Sequence, residues 1–594
     1  MTIWVFDSEV YKNLYMVAFM NTSKEVKSFR APFSSEQIKE IKSILKNDTI
    51  VGFNSMNYDL PLLSLALNNA SEAKIKKRSD EIIQNNLRFW QGGELPECKD
   101  HIDLIEVAFG KASLKIYGGR LNSKRMQSLP IHFDKVLTEE EKDLIEDYCI
   151  NDLNVTGLLC KNLSQQLKIR QQMSKDYKIN LMSKSDAQIA EAVIKSKIPN
   201  AEKRIVDPGH TFKYKPPKWL SFITPELKDI FQKICETEFV IQDSGKVKLP
   251  YFAKKTVIKK KESIEIECNE VVIAGKPYKL GIGGLHSMEK KTYRTEDSET
   301  VISDHDVASY YPSIILNEKL CPEHLSDSFL DVYKTIVDDR LKAKASGDKV
   351  TADTLKIVIN GSFGKFGSKW SVLFAPEMLI QVTLTGQLAL LMLIDKMEEQ
   401  KIPVISANTD GIVLACPADR VGLRDKVLRW WESKTGFITE ETKYKGLYSR
   451  DVNNYLAVKP DGSYKGKGIF AMPSMSKNTQ YPIVYKAAAN YLANGESIES
   501  TIRNCSEPSM FCAIRTVKGG ALDAQGNELG TAIRWYYSTE SEAPITYQLN
   551  GNKVPQTDGA LPMMELLDQL PPDIDYHWYI DTAKGVLHDV GIDY

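Results

Sequence analysis

The chain has 594 residues, too many for one hydrophobic core, and at about 150 residues per domain it is expected to fold as roughly three to five. Hydrophobic residues at 42% and charged residues at 26% exclude a largely disordered or fibrous chain. Its 77 Lys and Arg against 78 Asp and Glu give a net charge of -1, so attraction to a polyanion has to come from local segregation of charge.

The N-terminal stretch MTIWVFDSEVYK has no basic leader and carries an acid at position 7, unlike a signal peptide. Short β-rich runs (Ile3 to Phe6, Tyr15 to Met20, Thr49 to Phe53) alternate with the helical pattern SSEQIKEIKSILKN, opened by an N-cap serine, which predicts an α/β module. Asp7 and Glu9 stand at the end of the first strand with one residue between them, so both carboxylates leave the same side. Asp59 closes VGFNSMNYD just after another strand. Asp152 follows Tyr148 by one helical turn in YCIND. Four carboxylates brought together would repel unless cations neutralised them, which suits a pair of Mg²⁺ ions, phosphodiester hydrolysis and a tyrosine to orient the water. A lone D-x-E reads equally well as a solvated turn; three acidic motifs in order, each beside its element, do not.

In that order the motifs resemble the proofreading 3′→5′ exonuclease of family B DNA polymerases, of the RNase H-like class. The resemblance implies that Asp7, Glu9, Asp59 and Asp152 are metal ligands and that Tyr148 positions water. It further implies that Asn54, and Ser113 with Leu114 in ASLKIYGGRL, hold a single-stranded 3′ end.

From about Gln165 to Lys279 the pattern is less regular, with PGHTFKYKPPKW and KKTVIKKKES suggesting connecting structure. Basic clusters fall at Lys254 and Lys255, at Lys259 to Lys261, and at Lys290, Lys291 and Arg294; most such runs are solvated faces. The nine cysteines are scattered without C-x-x-C pairs, as for reduced thiols, and neither disulfides nor zinc are expected. The apolar run Met378 to Ile394 is broken by Gln381, Thr383, Thr385 and Gln387, so it reads as a buried helix and not a membrane span.

Beyond Val301, VISDHDVASYYPSII sets Asp306 at a strand end before a helix, and PVISANTDGIVLACP reads as a hairpin with Asp410 at its tip. Between them, Ser326 to Ala345 and Thr351 to Phe363, joined by SGDK, predict an antiparallel helical pair. Arg340 and Lys344 lie one turn apart on the first helix, Lys356 and Asn360 on the second. Taken together, DVASYYPS, KIVINGSFG and NTDG resemble the polymerase motifs of family B. The resemblance implies that Asp306 and Asp410 bind two Mg²⁺ ions (Mn²⁺ being able to substitute), that Arg340, Lys344 and Lys356 clamp the incoming phosphates, that Tyr311 excludes a 2′-hydroxyl, and that Asn360 and Phe363 shape the base-pair pocket. GIGGLHS resembles a Y-x-G-G segment, giving Gly283 and Gly284 as DNA contacts, with Gly281 where tyrosine is expected. VNNYLAVKPDGSYKGKG resembles a primer-holding region, giving Tyr455, Lys465 and Lys467, with Asn453 in place of lysine. Further departures are Asn408 for the first acid of D-T-D-S, Gly411 and Gly361 for serines, and Phe363 for tyrosine.

The expected fold is therefore α/β and α+β multidomain, an RNase H-like exonuclease domain followed by a right-hand polymerase. The expected boundaries are 1–165 exonuclease, 166–285 connecting region, 286–327 palm, 328–364 fingers, 365–472 palm again and 473–594 thumb. The early position of Asp7 and the short intervals between polymerase motifs point to a compact bacteriophage-type enzyme extending an ordinary primer. Its partners would be primer-template DNA, dNTPs and phage helicase, primase and single-strand binding protein; the chain would be monomeric, without membrane contact, in the cytoplasm of an infected bacterial cell. The rival readings are an exonuclease whose polymerase-like half only binds DNA, and a non-catalytic scaffold.

Overall fold

A computed structural model describes residues 2–198, 201–259 and 262–594; Lys260 and Lys261 of the second basic cluster lie outside them. The chain divides into two units: Met1–Ser185 with Met472–Val484 and Glu499–Asp581, and Asp186–Ala471 with Tyr485–Ile498 and Thr582–Tyr594.

Unit 1 is built on a five-stranded sheet of β1 (Ile3–Tyr11), β2 (Leu14–Asn21), β3 (Val26–Arg30), β4 (Thr49–Gly52) and β5 (Asp100–Asp103), in the order β3-β2-β1-β4-β5. Strand β2 runs against the other four, the order and polarity of the RNase H-like class. Its central strands are buried on both faces, as the unbroken apolar run of β2 requires. Among its helices are α1 (Ser35–Asn47), opened by a Ser34–Gln37 capping box, α2 (Asp59–Leu67), α3 (Leu114–Arg120) and α4 (Glu139–Asn162), opened by a Thr138–Glu141 capping box. The strands Ala513–Leu522 and Glu528–Tyr537 form a hairpin in the same unit.

Unit 2 opens with α5 (Asp186–Lys197) and is centred on a seven-stranded sheet. Its strands are β6 (Glu270–Ile273), β7 (Lys276–Lys279), β8 (His286–Ser287), β10 (Thr300–Val307), β11 (Val404–Asn408), β12 (Gly411–Pro417) and β13 (Thr439–Tyr444), ordered β6-β7-β8-β11-β12-β10-β13. A second sheet joins β9 (Lys290–Thr295), β14 (Gly446–Asp451), β15 (Asn454–Val458) and β16 (Tyr464–Lys467) in that order. Its further helices include α6 (Tyr310–Asn317), α7 (Ser326–Ser346), α8 (Lys349–Phe366) and α9 (Pro376–Glu399). The predicted helical pair is α7 and α8, joined at Gly347 in a left-handed turn. Helix α9 is long and apolar enough to cross a membrane, but 83% of its most apolar window is buried inside the protein, so it serves as a core helix. Lys254 and Lys255 are paired with Glu265 and Glu270.

Candidate active sites

In unit 1 strand alternation sends Asp7 and Glu9 to one face of β1, and each offers a ligand atom within 4.8 Å of the other and of the Cys149 thiol on α4. That thiol donates to the Asp7 carbonyl oxygen at 3.8 Å. Asp59, 3% exposed at the start of α2, accepts from the Ser8 N–H at 3.1 Å and the Ser8 hydroxyl at 2.5 Å. Asp152, one turn beyond Tyr148 on α4, is paired with Lys115 of α3, whose ammonium lies 4.0 Å from the centre of the Tyr148 ring. The chemistry follows from burial: it pushes Asp7 well above the usual carboxylate range, and Asp59, Asp152 and Glu9 push it further. Burial likewise raises Glu9, and lifts Asp59 to about 7 against its two Ser8 hydrogen bonds. Burial also holds the Cys149 thiol protonated.

The expected acids and Tyr148 thus form one electrostatic cluster, with Lys115 as the cation within it. Carboxylate oxygens suit a hard divalent ion; the protonated thiol does not. Asn54 adopts a left-handed conformation (φ 60°), its N–H donating to Asp103 at 2.8 Å. Ser113 is the N-cap of α3, accepting from the Ile116 N–H at 3.4 Å, and Leu114 packs on the core beneath the sheet. Lys115 and Cys149 were missed because each sits inside a motif read for its neighbours. Adjacency of Lys115 to Ser113 and Leu114 was the available signal.

In unit 2, β10 and β12 pair antiparallel with Asp306 opposite Gly411, and the Val307 N–H donates to the Asp410 carbonyl at 2.7 Å. Asp306 and Asp410 are therefore neighbours across the sheet. Burial raises both carboxyls, and the charge of Asp306 adds to the rise at Asp410, while Lys465 and Lys467 on β16 pull both down. Two acids overlooked in the sequence share this ground. Asp304 lies two residues before Asp306 on the same face of β10, raised to about 6 by burial and by Asp306, and accepts from the Tyr444 hydroxyl at 2.7 Å. Glu440 lies opposite Asp306 on β13 and pairs with Lys344 at 3.2 Å. Asn408 donates its amide to the Val452 carbonyl at 3.1 Å.

The remaining predicted residues gather around this centre. Arg340 donates to the Ser309 hydroxyl at 2.9 Å, and its Nε is a buried donor with no partner among the described residues. Lys356 and Asn360 are exposed one turn apart on α8. The Tyr311 and Phe363 rings meet at 4.5 Å, and the Tyr311 hydroxyl donates to the Gly283 carbonyl. Gly284 admits no side chain, because a Cβ there would lie 2.8 Å from Thr409. Tyr455 pairs with Lys467 across β15 and β16, and burial lifts its hydroxyl to about 12.

No protein-family model matches the chain. The DNA polymerase 1 of Sulfurisphaera ohwakuensis is 25% identical over 207 residues, 28% of this chain and 24% of that protein. The DNA polymerase 1 of Saccharolobus solfataricus is 27% identical over 122 residues, 20% of this chain and 14% of its own length. The chain is distantly homologous to archaeal DNA polymerases. The matches span about a quarter or less of those relatives. In solved form, the family B DNA polymerase of the hyperthermophilic archaeon Pyrobaculum calidifontis aligns with 100% of this chain and 78% of its own, at 14% identity and a TM-score of 0.42.

Proposed function

We propose that the chain is a template-directed DNA polymerase of the bacteriophage family B type, adding dNTPs to a primer 3′ end, with a 3′→5′ proofreading exonuclease in unit 1. The observation that carries this reading is the placing of Asp306, near the end of β10 and opposite Gly411, beside Asp410 in the turn that leads into β12, in a unit that also holds the cations of α7, α8 and β16. Asp306 and Asp410 would hold the divalent ions of synthesis, and Asp7, Glu9, Asp59 and Asp152 those of hydrolysis, two Mg²⁺ per site. When bound, such ions activate a hydroxyl or water and neutralise charge on the phosphate.

The chain's own groups do the rest. Arg340, whose Nη1 donates to the Ser309 hydroxyl, turns its guanidinium to the incoming phosphates, and Lys344 exchanges Glu440 for a phosphate oxygen. Lys356 extends the clamp. Tyr311, braced by Phe363, fills the space a 2′-hydroxyl would need, and Asn360 with Phe363 walls the base pair. Tyr455, Lys465, Lys467, Gly283 and Gly284 line the path of the primer-template. In unit 1, Tyr148 orients water, Lys115 holds Asp152, and Asn54, Ser113 and Leu114 receive the strand. On this reading 286–327 and 365–472 are palm, 328–364 fingers and 473–594 thumb, and the protein works on an ordinary primer during phage replication.

Extension of a recessed 3′ end, with and without a terminal mismatch, tests the reading. Asp306→Ala should stop synthesis and spare digestion, and Asp7→Ala the reverse; retention of synthesis in Asp306→Ala would refute it. A second reading, an exonuclease with a DNA-binding polymerase-like half, draws on Asn408. It predicts digestion by the unaltered chain with no extension product.

A further inference from the structure

The helical turn Phe89–Gly92 in unit 1 carries two aromatic rings outward, Phe89 at 36% and Trp90 at 69% exposure, with centroids 5.0 Å apart and planes at 82°. This turn is fixed in place. The Phe89 N–H donates to the Asn57 side-chain oxygen at 3.1 Å, Arg78 donates to the Gln91 carbonyl at 2.8 Å, and Gln91 closes the turn by accepting from the Arg88 N–H at 3.2 Å. Arg78 is itself steadied by Glu81 at 2.8 Å. Water could satisfy the backbone of such a surface turn, so two side-chain anchors serve to hold at a set position the turn from which the rings project. Asn57 then links the turn to the hydrolytic site: its amide donates to the Asn54 side-chain oxygen at 3.0 Å, and the chain reaches Asp59 two residues later.

We propose that Trp90, with Phe89, is a base-stacking platform that receives the single-stranded 3′ segment on its way to the acids of unit 1. This inference rests on the hydrolytic reading of that site. Every base presents a π face, so a tryptophan carried on an anchored turn accepts any sequence, at roughly 5- to 160-fold in affinity per stacked base. Inside a duplex both faces of each base are already stacked and only the outer face of the terminal pair is free, so a paired 3′ end has at most that one face to offer and cannot enclose a ring between its bases. A frayed end can, and the platform thereby selects unpaired termini. The exposed guanidinium of Arg88, next in the chain, adds a cation for the backbone or a second stacking plane.

Two measurements on the full chain separate this proposal from the reading beneath it. In steady-state digestion of a single-stranded oligonucleotide, Trp90→Ala should raise KM about tenfold with kcat within twofold. Trp90→Phe should recover most of the loss and Trp90→Leu should not. In an Asp7→Ala background, an oligonucleotide bearing 5-iodouracil near its 3′ end should photo-cross-link to Trp90. An unchanged KM, an effect confined to kcat, or recovery by leucine would overturn the platform. If the unaltered chain digests nothing, the hydrolytic reading falls and the cross-link alone decides: attachment elsewhere removes the platform too.

Discussion

A Cβ at Gly411 would lie 2.3 Å from Asp306 Oδ1 and 3.0 Å from the His305 carbonyl, so any side chain there displaces the carboxylate that faces Asp410. Gly411→Ser, which introduces the serine of the D-T-D-S pattern that NTDG resembles, should lower primer extension at least tenfold while leaving the melting temperature within a few degrees; full activity would show that Asp306 has room to move. The sequence revealed the departure at 411 but not its consequence, because the contact with Asp306 exists only once β10 and β12 pair. The buried carboxyls give a second residue-scale expectation. Asp59 stands at about 7, raised by burial, above an unfolded value of roughly 4. The folded chain therefore binds the extra proton, and this contribution to stability is full below about pH 4 and lost as pH rises through 7. His101, held near 4 by burial, acts in the opposite direction at acid pH. Urea denaturation of the metal-free chain against Asp59→Asn at each pH isolates the effect. The unaltered chain should lose on the order of a few kcal/mol relative to the variant between pH 4 and 8, and Mg²⁺ should stabilise it more at pH 8 than at pH 5. A flat difference would assign Asp59 an ordinary carboxyl.

Helices α7 and α8 were legible because their periodicity and the SGDK turn are local signals, and so were the strands that carry Asp7 and Asp306 and the hairpin that holds Asp410 at its tip. Helix α5 was not. It lies in a stretch of irregular pattern, and what orders it is α8: Gly361 leaves a gap in which a Cβ would sit 2.6 Å from the Asp186 carbonyl and 2.9 Å from Ala190 Cβ, while Glu191 pairs with Lys365 at 2.8 Å. Gly361, a plain departure from the motif in sequence, is thus a close-packing position between two elements. Gly361→Ser should destabilise unit 2 by about 1–3 kcal/mol, the usual range for overpacking, and should lower extension through displacement of Asn360 and Phe363 on the same helix. Chemical denaturation followed by extension assays at a permissive temperature checks both; an unchanged midpoint would mean that α5 yields freely. Strand β8 was illegible for a related reason. Two residues long, it gains its place only by pairing with β7 and β11.

At the scale of the molecule, unit 1 is completed by chain hundreds of residues away, which no local pattern could announce. Arg534, 0% exposed, donates to the Ser123 carbonyl at 3.0 Å, the Lys124 carbonyl at 3.3 Å and the Met563 carbonyl at 2.8 Å. Around it Ile116 and Met126 share a cluster with Ile514 and Ala532. One buried guanidinium therefore satisfies backbone carbonyls of both segments, beside the helix that bears Lys115. Replacing it with an apolar residue leaves those carbonyls buried without donors, at about 1–3 kcal/mol for a group so stranded. Arg534→Leu should accordingly destabilise unit 1 by roughly 2–4 kcal/mol. Since Lys115 and Asp152 belong to the unit so weakened, digestion of single strands should be lost at a lower temperature than primer extension in this variant. Paired thermal-inactivation curves for the two activities read the outcome, and a fall of both at one temperature would show that Arg534 stabilises the chain as a whole instead of unit 1.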